Sequence, residues 1–217
     1  MKATLLKREE IISGVWYIKL TTEEEIGFRA GQFFQLTLPN PKYQDNRGNS
    51  RFFGFINSPT LDMTAEMITK VGVSAYKRTL GELPIGSEVE IGKVGGEMTL
   101  PADTNRPLVF ITEEIGVAPL MSILRFVQEK SLPYQITLIY SQPLIFTGEL
   151  AIFSQKNEAF KLVTVMGGEN LPDYIPKMDN GLYCVTGTSG FVLPTVKMLR
   201  EKGIAPNQTK FEVFTGY

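Results

Sequence analysis

The stretch ITEEIGVAPL, residues 111–120, stands between the apolar run PLVF and the amphipathic run PLMSILRFVQEK, and its reading decides the fold. An apolar run that stops at a polar turn and resumes with helical spacing predicts a strand turning into a helix. A helix N-terminus exposes unpaired N–H groups and the positive end of the helix dipole, which is where α/β proteins often hold phosphates. Here the turn carries two carboxylates, Glu113 and Glu114. Acidic residues in a first helical turn also stabilise the dipole by about 0.3–1 kcal/mol without any ligand. The turn alone therefore fits a phosphate seat and a plain helix start equally.

Working outward, strands alternate with helices from Pro107 onward: PLVFIT, helix PLMSILRFVQEK, strand QITLIYS, a helix near GELAIFSQK, strands FKLVTVM and LYCVTG, helix FVLPTVKMLREKG, and KFEVF. That alternation is the pattern of βαβ units on a parallel sheet. Toward the N-terminus the texture changes to short apolar or alternating runs, TLLKRE, VWYIKL, FFQLTL, RFFGFI, AEMITKV, SEVEIG and EMTL, separated by Gly, Pro and Asn clusters. This predicts an antiparallel barrel or sandwich. The break falls at PADTNRP, residues 101–107, polar and Pro-rich like a linker.

The chain has 217 residues, 43% hydrophobic and 21% charged, enough for one large or two small cores. No apolar run reaches the roughly 18–20 residues of a membrane span, and MKATLLKREE has no apolar signal core, so a cytoplasmic location is expected. A net charge of -1, with Lys and Arg scattered, offers no face for nucleic acid. Histidine is absent, which removes Ser-His-Asp triads, His-activated cysteines, and His-ligated metals and haem. The single cysteine, Cys184, cannot hold an iron-sulfur cluster and sits in an apolar run as a small hydrophobe. No metal site is expected. Any redox chemistry must be carried by an organic cofactor.

The segments GQFFQLTLP, RFFGFINSP, KVGVSAYKRTL, GSEVEIGKVGGEMTL, RPLVFITEEIGVAPLMSILRF, LYCVTGTSGFV and FEVF, in this order, resemble the ferredoxin-NADP reductase superfamily of flavin oxidoreductases. The resemblance covers nearly the whole chain and implies two domains. The first is a flavin-binding antiparallel Greek-key β-barrel at about 1–102, and the second a nucleotide-binding-like α/β domain with a parallel sheet at about 103–217.

The resemblance also implies roles residue by residue. In the family's flavin motif of Arg, any residue, Tyr, Ser, the arginine pairs with the FAD pyrophosphate, a role that falls to Arg51. Phe53 takes the tyrosine's place, able to stack on the flavin ring but lacking the hydroxyl. Gly54 replaces the serine that hydrogen-bonds near the flavin's reactive nitrogen. Phe52, Phe55, Ile68 and Lys70 complete the implied flavin lining, with Gly72, Val73 and Ser74 approaching the pyrophosphate at the start of helix AYKRTL. Taken alone, RFFGFINSP also reads as a core strand with an edge arginine, and Ser74 as an ordinary N-cap.

On the nucleotide side, Thr112, Gly116, Val117, Ala118 and Pro119 fall on the family's Gly-Gly-Thr-Gly-Ile-Ala-Pro turn, with Glu113 and Glu114 replacing its two glycines. A repulsive charge pair at about 4 Å costs roughly 1 kcal/mol in water and about 4 kcal/mol at an effective dielectric of 20, so two glutamates facing a pyrophosphate would weaken binding by orders of magnitude. Side chains turned into solvent would leave the backbone usable. Thr186 and Gly187 stand at the family's Cys-Gly pair, so a hydroxyl replaces the thiol that faces the nicotinamide. SQPLIFTGEL, residues 141–150, offers no arginine for a 2'-phosphate, which favours NADH over NADPH. Phe214 and Tyr217 are candidate covers for the flavin or nicotinamide.

The implied activity is that of an NAD(P)H-dependent flavin oxidoreductase passing electrons through bound FAD to an acceptor protein or small oxidant. Two alternatives stay open: a flavin-binding electron-transfer subunit that uses no pyridine nucleotide, and a non-catalytic scaffold of the same fold.

Overall fold

The fold was described from a computed structural model covering residues 1–72 and 74–214; the flavin candidate Val73 and the cover candidate Tyr217 lie outside the described residues. Strands β1 (Lys2–Ile12), β2 (Val15–Thr22), β3 (Phe33–Thr37), β4 (Ser50–Gly54), β5 (Thr64–Lys70) and β6 (Glu88–Gly95) form an antiparallel sheet in the order β4-β3-β6-β1-β2-β5. The chain leaving β4 draws the two sheet edges together. Ile56 N–H donates to Glu66 O (2.9 Å), and the buried Asn57 side chain bonds Glu66 N and Thr64 O, so the segment after β4 runs along β5 and curls the sheet into a barrel.

Phe55 belongs to this closure and not to a cofactor surface. It is fully buried, stacked on Phe28 with ring centroids 3.8 Å apart, and closes the barrel core with Phe34. The expectation that it lines a flavin site is thereby corrected. EMTL, expected as a strand, is unpaired extended chain after β6, because Met98 is buried against the second domain's core and the segment already leads out of the barrel.

Helix α1 (Ala75–Glu82) spans the gap between β5 and β6, capped by Ser74, whose Oγ accepts from Lys77 N at 3.3 Å. A hydroxyl at this position satisfies one of the otherwise orphaned first-turn N–H groups.

The second half forms a five-stranded parallel sheet of β7 (Leu108–Glu113), β8 (Ile136–Ser141), β9 (Phe160–Val165), β10 (Leu182–Gly187) and β11 (Thr209–Val213), ordered β11-β10-β7-β8-β9. The helices are α2 (Ala118–Glu129), α3 (Thr147–Lys156), a short α4 (Leu171–Tyr174) and α5 (Ser189–Glu201). The strand order reverses at β7, which has β8 on one side and β10 on the other. In open α/β sheets the crevice beyond the carboxyl ends of the strands at such a switch point is where ligands bind.

The two halves share a continuous core. Val15, Ala30, Ile56 and Ile68 of the barrel pack in one cluster with Leu120, Ile123, Leu124 and Val127 of α2. Strand β5 is accordingly buried on both faces. Arg125 of α2 ties the halves electrostatically: it forms a fork with Glu149 (2.7 and 2.8 Å) and donates to Ile56 O (2.8 Å) and Glu66 (3.4 Å). Glu66 also pairs with Lys19 at 3.2 Å. Among the described residues, no helix is long and apolar enough to cross a membrane.

Candidate cofactor site

Where the open end of the barrel meets the turn after β7, the surfaces leave a cavity of about 430 Å³. Its wall carries the cations Arg47, Arg51 and Lys77, beside Ser74, and the aromatic rings of Phe33, Phe52, Phe53 and Tyr76. Ile115 and Ala118 contribute from the second domain, and Glu212, Val213 and Phe214 from the end of β11.

Arg51 reaches the cavity from the edge strand β4. Its Nη1 donates to the carbonyls of Arg47 (3.0 Å), Gly48 (3.1 Å) and Ser50 (2.7 Å), and the guanidinium lies 5.0 Å from the centre of the Tyr76 ring. Its Nη2 is buried 3.8 Å from Asp45 and has no hydrogen-bond partner. A buried donor without a partner carries a desolvation cost that a bound oxyanion would remove. The Lys77 ammonium is held below its usual pKa, first by burial and then by Lys70 and Arg47. Cations crowded together in a half-buried wall repel one another, and a pyrophosphate would relieve that repulsion. The aromatic lining suits a flat ring system: Phe52, 54% exposed, packs edge-on to Phe33, and Phe53 stacks on Tyr76. By these criteria the residues fit FAD.

Gly54 has a steric reason for its departure from serine. A Cβ there would lie 3.2 Å from Pro119 Cδ and 3.5 Å from Ala118 Cβ, so the bare backbone of β4 makes room for the start of α2. Ile68 lines the cavity, but Lys70 does not; its ammonium forms an ion pair with Glu114 across the two halves. Gly72 also stands outside the cavity wall and leaves space for the Lys77 side chain, whose Cδ would be 2.6 Å from a Cβ. The expected flavin contacts of Lys70 and Gly72 are corrected accordingly.

The turn after β7 is a short 3-10 turn, Glu114–Val117, leading into α2. Glu114 adopts a left-handed backbone, φ 44°, the conformation a glycine would take at no cost. Its carbonyl accepts from the Tyr140 hydroxyl at 2.7 Å. Gly116 must lack a side chain, since a Cβ would fall 2.7 Å from Thr112 Oγ1 and 2.9 Å from both Gly187 Cα and Thr186 O. Glu113 reaches across this junction: its Oε1 accepts from the Thr188 hydroxyl at 2.6 Å and from Thr188 N–H at 3.3 Å, at the head of α5. Neither glutamate turns freely into solvent.

No family model matches the chain. Among curated proteins it is 27% identical, over 173 residues, to the reductase component of propane 2-monooxygenase from Gordonia sp. (strain TY-5), an alignment covering 70% of this chain and 48% of that one. It is 24% identical to the reductase subunit of an aromatic O-demethylase from Amycolatopsis sp., covering 99% of this chain and 69% of the relative. The chain thus spans about half the length of the first and about two thirds of the second. Among solved structures, a ferredoxin NADP+ reductase from Neisseria gonorrhoeae with bound FAD and NADP superposes with a TM-score of 0.84 at 19% identity, covering 99% of this chain and 98% of that one. The fold is that of the ferredoxin-NADP reductase superfamily.

Within the ferredoxin-NADP reductase fold, several positions assigned from the resemblance stand elsewhere than expected. Thr186 is fully buried, with its hydroxyl donating to Thr112 Oγ1 (3.0 Å) while Thr112 donates to Thr186 O (3.1 Å). The pair staples β10 to β7, so Thr186 presents no hydroxyl to the cavity. Val117 is a core residue, and of the matched turn only Ala118 lines the cavity, with Pro119 against Gly54. Phe214 does line it, held by its N–H to Gly187 O at 2.9 Å.

The site residue that sequence reasoning missed is Glu212. It lies opposite Thr186 in the β10–β11 register and lines the cavity, where burial raises its carboxyl to about 7. A lone acid in the apolar alternation FEVF was the available signal. Arg47 and Lys77 were missed as well, because nothing local distinguishes a cation that lines a cavity from one on a solvated turn. Cys184 is buried with its thiol pushed up to about 12, as a small core hydrophobe should be.

Proposed function

We propose that the chain is an FAD-dependent reductase module that takes electrons from NAD(P)H and delivers them to a separate acceptor. The observation that carries this reading is one cavity lined by both cations and aromatic rings, at the seam of a barrel and a switch-point sheet. The barrel, about 1–102, would hold the flavin, and the α/β unit, about 103–217, would receive the nucleotide.

Arg51 would bind the pyrophosphate, with Arg47, Lys77 and the Ser74 cap in the same cavity wall. Phe53 and Phe52 would flank the ring and exclude water from it. Bound FAD would supply the step between a two-electron hydride donor and one-electron acceptors. Glu212, also in the cavity wall, has its carboxyl raised by burial to about 7, so it would hold or release a proton near neutral pH. Ala118 and Phe214 bound the space left for the nicotinamide. The absence of arginine in residues 141–150 favours NADH. One curated relative is the reductase component of a monooxygenase and the other the reductase subunit of an aromatic O-demethylase, which supports a separate enzyme component of that kind as the acceptor.

The test is anaerobic: load the purified chain with FAD, remove the excess, and follow visible absorbance on adding NADH or NADPH. Rapid bleaching supports the reductase. Retained flavin that neither nucleotide bleaches supports the second reading, an electron-transfer subunit fed by another protein, which the inward-held Glu113 and Glu114 favour. Failure to retain flavin would leave only a scaffold.

A further inference from the structure

Beside the cavity already described lies a second one, of about 300 Å³, built by the barrel half alone. Pro41, Tyr43, Gln44, Asp45 and Asn49 line it from the loop between β3 and β4, and Tyr76 lines it from α1. Tyr76 belongs to the walls of both cavities. Arg51 stands at the same boundary, its guanidinium 5.0 Å from the centre of the Tyr76 ring. It lines the larger cavity, yet its Nη1 donates to the carbonyl of Gly48, in the wall of the smaller one. Its buried Nη2, without a hydrogen-bond partner, lies 3.8 Å from Asp45 in that same wall. The two cavities therefore flank one guanidinium.

Their chemistry differs. Three cations line the larger cavity, whereas among the described residues the smaller has none in its wall and carries the Asp45 carboxylate. Like charge disfavours a phosphate there. A neutral, flat group with polar edges suits it better: the Tyr43 ring and the prolines supply apolar surface, and Gln44, Asn49 and Asp45 supply donors and acceptors for a base edge or ribose hydroxyls. This wall is fixed on α1 before any ligand arrives. Tyr43 N–H donates to Thr79 Oγ1 at 3.0 Å, the Thr79 hydroxyl donates to Tyr43 O at 3.3 Å, and the Tyr43 hydroxyl donates to Glu82 at 3.0 Å. The Arg78 guanidinium lies over the Tyr43 ring, 3.8 Å from its centre. A site ordered in advance binds without that entropic cost.

We propose that the smaller cavity takes the adenosine of FAD, with the pyrophosphate at Arg51 and the flavin in the larger cavity, so that the chain selects FAD over FMN. The inference rests on the flavin reading above and deepens it. Arg51 then joins the two compartments, and Tyr43 is a specificity-determining residue that touches only the adenosine half.

The test titrates the flavin-free full chain calorimetrically with FAD, FMN and ADP. FAD should bind at least about tenfold more tightly than FMN, the factor that stacking of a base on an aromatic ring contributes. Tyr43→Ala should weaken FAD and ADP by about tenfold and leave FMN within about threefold of the parent, whereas Tyr43→Phe, which keeps the ring, should match the parent. The ratio of FAD to FMN affinity is the deciding quantity, because a general loosening of the loop that holds Arg51 would weaken both flavins alike. Equal affinity for FAD and FMN, or a ratio that Tyr43→Ala leaves unchanged, would overturn the proposal. If neither flavin binds but ADP does, and Tyr43→Ala weakens it, the flavin reading falls and the adenosine site stands. If neither flavin binds and ADP is not bound, or is bound regardless of Tyr43, both are wrong.

Discussion

Replacing Arg51 with lysine tests the cationic lining of the cavity most directly. The guanidinium serves two sides at once: Nη1 holds the carbonyls of Arg47, Gly48 and Ser50, while Nη2 remains buried without a hydrogen-bond partner, 3.8 Å from Asp45. A lysine ammonium has three donors on a single atom and no planar fork, so it cannot hold the loop and a pyrophosphate together. If it keeps the loop, the phosphate loses one charge-assisted hydrogen bond, worth about 1.5–3 kcal/mol. That corresponds to FAD binding weakened roughly 10- to 100-fold. Thermal stability should fall little, since the carbonyls of Arg47 and Gly48 lie in an exposed loop and can turn to water, leaving only that of Ser50, at the start of β4, part-buried. Titration of the apoprotein with FAD, followed by quenching of flavin fluorescence, measures the constant, and a melting curve checks the fold. A folded Arg51→Lys variant whose FAD affinity stays within about threefold of the parent would refute the assignment of this arginine to the pyrophosphate.

Three further outcomes are expected. Burial raises the Glu212 carboxyl from its usual 4.5 to about 7, so the folded chain holds a proton that the unfolded chain has already lost. Stability of the flavin-free protein should therefore fall as pH rises from 4.5 to 7 and level off above, by up to roughly 3 kcal/mol. Glu212→Gln should abolish that slope, as urea midpoints at pH 5 and pH 8 will reveal; equal slopes in both proteins would contradict it. Arg125→Met strips the part-exposed Glu149 of its cation and leaves the buried Glu66 only Lys19, and should cost about 2 kcal/mol, lowering the melting temperature by roughly 4–8 °C; a change under about 2 °C would mean the network is not held as described. Gly116→Ala drives a methyl to within 2.9 Å of the β10 backbone and should destabilise the chain by about 1–3 kcal/mol, read in the same melting experiment; an unchanged melting point would show that the junction yields.

Much of the architecture was legible locally. The period-2 runs before residue 100 and the alternation of apolar strands with amphipathic helices after 107 depend only on side-chain spacing, and nearly every run became the expected element. Ser74 capped its helix as its chemistry requires. EMTL failed as a strand because a strand needs a neighbour to pair with, and the chain had already left the barrel.

The candidate site was legible only in outline. Arg51, Phe53, Ile68, Ser74, Ala118 and Phe214 reach the cavity, and their positions follow from the order of segments along the chain. Phe55, Lys70 and Thr186 do not, because side-chain direction at a strand end and the choice of ion-pair partner are settled by residues elsewhere in the sequence: Phe28 and Phe34 for Phe55, Glu114 for Lys70, Thr112 for Thr186. The raised carboxyl of Glu212 likewise exists only once β11 docks beside β10 and buries it. Periodicity and turn chemistry by themselves determined the elements, their order and the class of each half, since these are set by contacts within a few residues. Tertiary structure alone decided which groups share the cavity and what Glu113 and Glu114 hold, since those pairings join residues up to 75 positions apart.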